Sequence, residues 1–269
     1  MSLSLQEILN TGDVSALAAL LQSDPAVATR QFTWATPCKI GPGLALRYLA
    51  QARFWGYAKH GRSGEMARLL LEAGCPVDGA SSDAESLLIT AVSYHEHDVA
   101  FALIEAGADL EKKGYEVPGG TALDHAVKFG AVAIAEKLVS AGAEVRSVFI
   151  AAGVGLERDW SGLAPGDRMQ ALLAAAICGR LGVIDALLGI GVDLNQFVDG
   201  ATVLHWAAWE ANAQSVRHLL ARGANANLRD ETYQLTALGW ARHRASQLAE
   251  ARPDSHQEVM DCLSASTVK

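Results

Sequence analysis

The sequence predicts an all-α fold, a solenoid of stacked helix-turn-helix units joined by β-hairpin-like loops. Two observations carry this. A Leu-Leu-x-x-Gly signature recurs, with substitutions, at Gly74, Gly107, Gly142, Gly191 and Gly223, at intervals of 33, 35, 49 and 32 residues. A period near 33 is that of a helical repeat whose units bury their apolar faces only against their neighbours. Ahead of these glycines the apolar residues fall at helical spacing, as Val216, Leu219 and Leu220 do.

The clearest unit runs from Asp199 to Asn227, DGATVLHWAAWEANAQSVRHLLARGANAN. Thr202 caps its first helix. Ala207 and Ala208 are small, so neighbouring helices approach closely. Gly223 stands where a left-handed residue ends the second helix. This unit resembles the ankyrin repeat, at Thr202, Leu204, His205, Ala207, Ala208, Leu219, Leu220, Gly223, Ala224 and Asn227. Val203 replaces the family's proline, and Ala211 its inter-helix glycine. The chain is further similar to a group of bacterial ankyrin repeat proteins that carry a Tyr-x-x-Thr-x-Leu-Gly-Trp-Ala stretch, here Tyr233 to Ala241. No known activity comes with that likeness.

Taken in order, the resemblance implies a single domain over 1–269 with about seven to eight repeats, one of them truncated. Residues 1–30 form an N-terminal cap, a helical hairpin turning at Thr11-Gly12-Asp13. Residues 31–43 are a loop or small β insertion. Repeats follow at 44–78, 84–111, 119–145, 167–195, 199–228 and 234–263. In the first of these, Leu44 to Gly61 reads as one long helix. The interval of 49 residues holds a half-length repeat at 147–163, with Ala151-Ala152 in its first helix and a stunted second helix. In the last repeat the turn is enlarged by Ala245 to Asp254. The loops at 114–120 and 229–235 are longer than the family's.

Composition bounds the function. Of 269 residues, 50% are hydrophobic and 19% charged, a globular balance, and the net charge is −8. An acidic chain without a Lys/Arg block offers no electrostatic footprint to nucleic acid or to an anionic membrane. The N-terminus lacks the basic and apolar regions of a signal peptide, and no apolar run approaches a membrane span. Cys38, Cys75, Cys178 and Cys262 form no C-x-x-C pair and read as free thiols. The expectation is a cytoplasmic protein, monomeric when free, with no cofactor and no metal.

In ankyrin proteins the partner lies in a groove built from hairpin tips and from the ends of the first helices. The resemblance carries this role to Tyr94, Lys128, Phe129, Val154, Ile177, Phe197, Val198, Trp206, Trp209, Glu210, Trp240, His243 and Arg244. Thr90, His125, Ile150 and Ala174 take the half-exposed position that Trp206 and Trp240 also occupy. The set is rich in aromatics although only 6% of the chain is aromatic. Contiguous apolar patches mark interaction surfaces, and Trp and Tyr are frequent anchors. The leading expectation is a non-catalytic scaffold gripping another protein, centred on Phe129, Trp206, Trp209 and Trp240. The plain alternative is that these residues fill a tight inner curve by packing on each other. A small-molecule pocket under the long loops and a self-associating module are further alternatives.

Other groups read as structural. His205 holds the family's position that ties neighbouring turns together. Asp124 replaces it in the repeat at 119–145, which shifts His125 toward the groove. His95-Glu96-His97-Asp98 is a consecutive run in an exposed turn, without metal-ligand spacing. Cys178, beside Ile177, is a candidate exposed thiol. Gly153-Val154-Gly155 is too short for a phosphate loop.

Overall fold

The computed structural model describes residues 3–35, 40–80, 85–114, 117–248 and 256–266. The chain folds as two compact units, residues 1–126 with 136–144, and residues 127–135 with 145–269.

The first unit opens with α1 (Leu5–Thr11) and α2 (Val14–Ser23). Ser4 and Glu7 form a reciprocal capping box on α1, and Gly12 turns the chain out of it at φ 73°. The Asp13 carboxylate accepts from the Ala16 N–H at 2.9 Å and caps α2. The insertion contains an antiparallel ribbon, β1 (Phe32–Ala35) against β2 (Ile40–Gly43), with Phe32 opposite Gly43.

Next come α3 (Ala45–Ala52), α4 (Ser63–Glu72), α5 (Leu87–Ser93) and α6 (His97–Glu105), then α7 (Ala122–Lys128) and α8 (Val132–Ser140), which the two units share. α3 packs on α5 and α4 on α6, so first and second helices form separate rows around Leu46, Leu49, Leu70, Leu88 and Leu103. The long helix expected from Leu44 to Gly61 stops at Ala52. Gly56 takes φ 74°, outside the helical region, and the Tyr57 N–H bonds back to the Ala52 carbonyl at 2.9 Å.

The second unit continues with α9 (Val148–Val154), α10 (Pro165–Cys178) and α11 (Leu181–Gly189). A short ribbon follows, β3 (Phe197–Val198) with β4 (Ala201–Thr202). Then come α12 (Val203–Trp209), α13 (Ala213–Ala221), α14 (Ala237–Leu248) and α15 (Gln257–Ser266). α9, α10, α12 and α14 pack in succession, while α11, α13 and α15 back them.

Two local expectations change here. No helix, stunted or otherwise, forms over residues 156–163. A loop takes that place, anchored by Trp160, which is buried. The Arg168 guanidinium donates to the Ser161 carbonyl and ties the loop to α10. Pro165 then starts α10 at a position that lacks an intrahelical N–H partner in any case. At the other end, residues 245–248 extend α14 instead of opening a loop, and the rest of the expected enlargement, 249–254, lies outside the described residues. Among the described residues no helix is long and apolar enough to cross a membrane.

Candidate functional site

Three indoles meet in the second unit. Trp206 and Trp209 stand one turn apart near the C-terminal end of α12, and Trp240 comes from the first turn of α14. The packing of α12 on α14 brings them together. Trp240 lies edge-on to both, with ring centroids 5.1 Å from Trp206 and 5.7 Å from Trp209, and interplanar angles of 80° and 71°. The imidazole of His205 touches the same ring at 5.4 Å. Edge-to-face packing suits the positive edge and negative face of aromatic rings. All three indoles stay half-buried.

Cations cap the two ends of this ladder. Lys128 Nζ lies 4.9 Å from the Trp206 ring centroid, and the Arg244 guanidinium 4.8 Å from that of Trp209. Two of the indole nitrogens donate hydrogen bonds. Trp206 Nε1 donates to the Val198 carbonyl at 3.3 Å, and Trp240 Nε1 donates to Asp230 Oδ2 at 3.0 Å.

Asp230 organises the adjoining loop. Its carboxylate also accepts from the N–H groups of Thr232 (2.9 Å), Tyr233 (2.6 Å) and Leu235 (2.8 Å). Burial alone would raise its pKa. The bonds from Tyr233, Trp240, Leu235 and Thr232 outweigh burial and hold it below the usual carboxylate range. The loop so pinned presents Tyr233, 72% exposed and the one exposed aromatic among the described residues. Sequence reading passed over Asp230, and it met Tyr233 only as part of a family stretch. The signal available was the loop's extra length from Arg229 to Leu235.

The remaining expected site residues divide. Phe129, Val154, Phe197 and Glu210 are half-buried in the second unit, and His243 is exposed, 6.1 Å from the Trp209 ring. Val198 is buried and serves through its carbonyl. Ile177 differs from the expectation. It is 1% exposed, enclosed with the rest of the last turns of α10, and offers no surface to a partner. Tyr94 belongs to a separate cluster in the first unit, packing on Phe54 at 5.0 Å and Trp55 at 6.1 Å. Of the neighbouring positions expected to be half-exposed, Thr90, His125, Ile150 and Ala174 are all buried. Only the tryptophans at that position reach the surface, because their bulk exceeds the space between adjacent helices.

His205 ties turns together. Its Nδ1 accepts from the Thr202 N–H at 3.3 Å, and its Nε2 faces the Leu235 carbonyl at 3.1 Å. A carbonyl only accepts, so Nε2 carries the proton. Asp124 does the same local capping in its repeat, accepting from the Thr121 N–H and hydroxyl at 2.8 and 2.9 Å. His125 is fully buried rather than turned to a groove, and its Nδ1 lies 3.1 Å from Ser93 Oγ. Burial lowers the pKa of both histidines.

Cys178 is buried, not exposed, and burial pushes its thiol up to about 12. In the run at 95–98, Glu96 is buried and only His97 and Asp98 are exposed. Among the described residues no three His, Cys, Asp or Glu side chains gather to hold a metal ion. An open depression of about 360 Å³ lies beside the helix-free loop, lined by Leu156, Arg158, Trp160, Arg180, Leu181 and Val183 among others, and none of Trp206, Trp209 and Trp240 lines it.

Rows of first and second helices, repeated at this period, with surface chemistry at the ends of the first helices, define a helical-repeat module. The family model for ankyrin repeats (three copies) matches residues 55–148 and 151–230, well over half of the chain. The chain belongs to the ankyrin repeat family. Over 199 residues, 68% of its length, it is 28% identical to the ankyrin repeat and KH domain-containing protein mask-1 of Caenorhabditis elegans. It spans only 8% of that relative's length. The solved ankyrin repeat domain of human ASB11 aligns over 98% of this chain and 97% of its own, at 21% identity and a TM-score of 0.43.

Proposed function

We propose that the chain is a non-catalytic cytoplasmic scaffold, one repeat domain over 1–269, that holds another protein on the aromatic edge of its second unit. The observation that carries this is the contiguous ladder of Trp206, Trp240 and Trp209, half-open to solvent at the ends of α12 and α14. Indoles there bury large area at small entropic cost when a partner covers them. Phe129, Val154, Phe197 and Glu210 extend the edge, and His243 borders it. Ankyrin repeats serve generally as protein-interaction modules, which agrees with this reading.

The indoles also pack on each other, so the test separates holding a partner from holding the fold. Wild type and Trp209→Ala are each tagged at native levels, and co-purifying proteins are quantified beside a urea unfolding curve. Loss of a specific co-purifying protein, with the unfolding midpoint little changed, is expected. A lowered midpoint with unchanged co-purification would mean that the ladder is internal packing only.

A further inference from the structure

Resting on the reading just proposed, the structure assigns a chemistry to the partner: we infer that the ladder receives an extended acidic segment of another protein carrying an apolar anchor. The argument begins with charge. The chain carries a net charge of −8, yet α14 bears Arg242 and Arg244 and no acid over its twelve residues. Lys128 and Arg244 cap the two ends of the ladder, and the described residues give neither a carboxylate partner.

Both cations are pre-positioned by the indole faces beneath them, so a carboxylate meets an ordered charge instead of a freely rotating one. Successive ring and cation separations of 4.8–5.7 Å keep Lys128 and Arg244 within the span of about seven extended residues at ~3.3 Å each. One segment therefore reaches both cations while an apolar side chain between them rests on the exposed part of the indoles.

Single-stranded nucleic acid also pairs cations with aromatic stacking. The ladder disfavours it. Its rings stand edge-to-face, and Lys128 and Arg244 already lie over the faces of Trp206 and Trp209, so no row of open faces awaits bases.

The test is a selection from a phage-displayed library of random 12-residue peptides on immobilised full-length protein. A Lys128→Glu/Arg244→Glu double variant and a Trp206→Ala/Trp209→Ala double variant run in parallel, with folding checked by circular dichroism. Wild type is expected to enrich peptides with clustered Asp/Glu around one aromatic or aliphatic residue. Affinity of the best peptide is expected to fall about two- to fivefold for each cation removed, the range of exposed ion pairs. The charge-reversed variant is expected to enrich Lys and Arg instead. Peptides without acidic bias, lost in the tryptophan variant but unmoved by charge reversal, would overturn the acidic assignment while leaving the scaffold reading intact. No enrichment at all would overturn both. So would a chain that self-associates through this edge, seen as a concentration-dependent mass in light scattering that charge reversal abolishes. Tighter binding of a dT 20-mer than of any selected peptide would replace the partner class.

Discussion

Asp230 illustrates how much one buried side chain carries. It is 1% exposed and accepts four hydrogen bonds that join the 230–235 loop to the indole of Trp240. Asp230→Asn keeps the shape but puts an NH2 donor against N–H donors, and loss of such bonds costs about 1–3 kcal/mol. The folded carboxyl titrates below its unfolded value, so its stabilisation is fully present above about pH 4 and is lost as pH falls through the folded pKa. Urea midpoints of wild type and variant are therefore expected to differ at pH 7 and to converge toward pH 3.5. A gap that stays constant with pH would refute the assignment. This residue also marks the limit of sequence reading at the site. Lys128, Trp209 and Arg244 were legible because the repeat pattern places each just after the Ala-Ala pair of a first helix, and Trp206 and Trp240 because it places them just before that pair. Asp230 was not, because its carboxylate serves the N–H groups of its own loop and the Trp240 indole, and the repeat pattern does not specify that loop's conformation. Ile177 was misplaced for a different reason. Its position repeats the pattern, but α10 is longer than its equivalents and is enclosed by its neighbours.

At the scale of elements, the turns between paired helices show how the repeat tolerates departures. The turn between α12 and α13 ends on Ala211 at φ 57°, where the turn between α10 and α11 has Gly179 at φ 72°. A left-handed conformation costs an L-residue about 1–2 kcal/mol, part of which glycine would return as unfolded-state entropy. Ala211→Gly is thus expected to stabilise the protein by roughly 0.5–1 kcal/mol, read as a higher urea midpoint. Gly179→Ala is expected to do the opposite, since its Cβ would also lie 2.9 Å from the Asn212 amide nitrogen. A lower midpoint for Ala211→Gly would mean that its methyl packing outweighs the strain. The glycine spacing made the paired helices legible, whereas the start of α10 at Pro165, two residues ahead of the expected repeat at 167–195, was not read. The absence of a helix over 156–163 was not legible. Leu156 and Leu163 suggest an apolar face, but Trp160 alone is buried there, with its neighbours in the loop exposed.

At the scale of the whole molecule, among the described residues each unit encloses a buried histidine of lowered pKa, His125 in the first and His205 in the second. Burial disfavours the charged imidazolium more than the nearby acids favour it, Glu85 and Asp124 for His125 and Asp230 for His205. Both are therefore neutral in the fold at pH 7. The unfolded chain binds protons near the ordinary imidazole value of about 6.5, and the native chain binds them only lower. Unfolding then takes up protons as pH falls through that window, and the stabilisation present above it is progressively lost. A second effect opposes this. Acidification reduces the net charge of −8 and so relieves self-repulsion. At 0.15 M salt that repulsion is screened beyond ~8 Å, whereas desolvation of two enclosed rings is not. The histidines are expected to win, giving a lower melting temperature at pH 5.5 than at pH 7.5 by circular dichroism in 0.15 M salt. Imidazole proton resonances of His125 and His205 in the folded chain are expected to move to their charged positions only at lower pH than those of the unfolded chain. A melting temperature that rises on acidification, together with either resonance moving to its charged position in the folded state at no lower pH than in the unfolded chain, would show that the buried rings accept protons without cost.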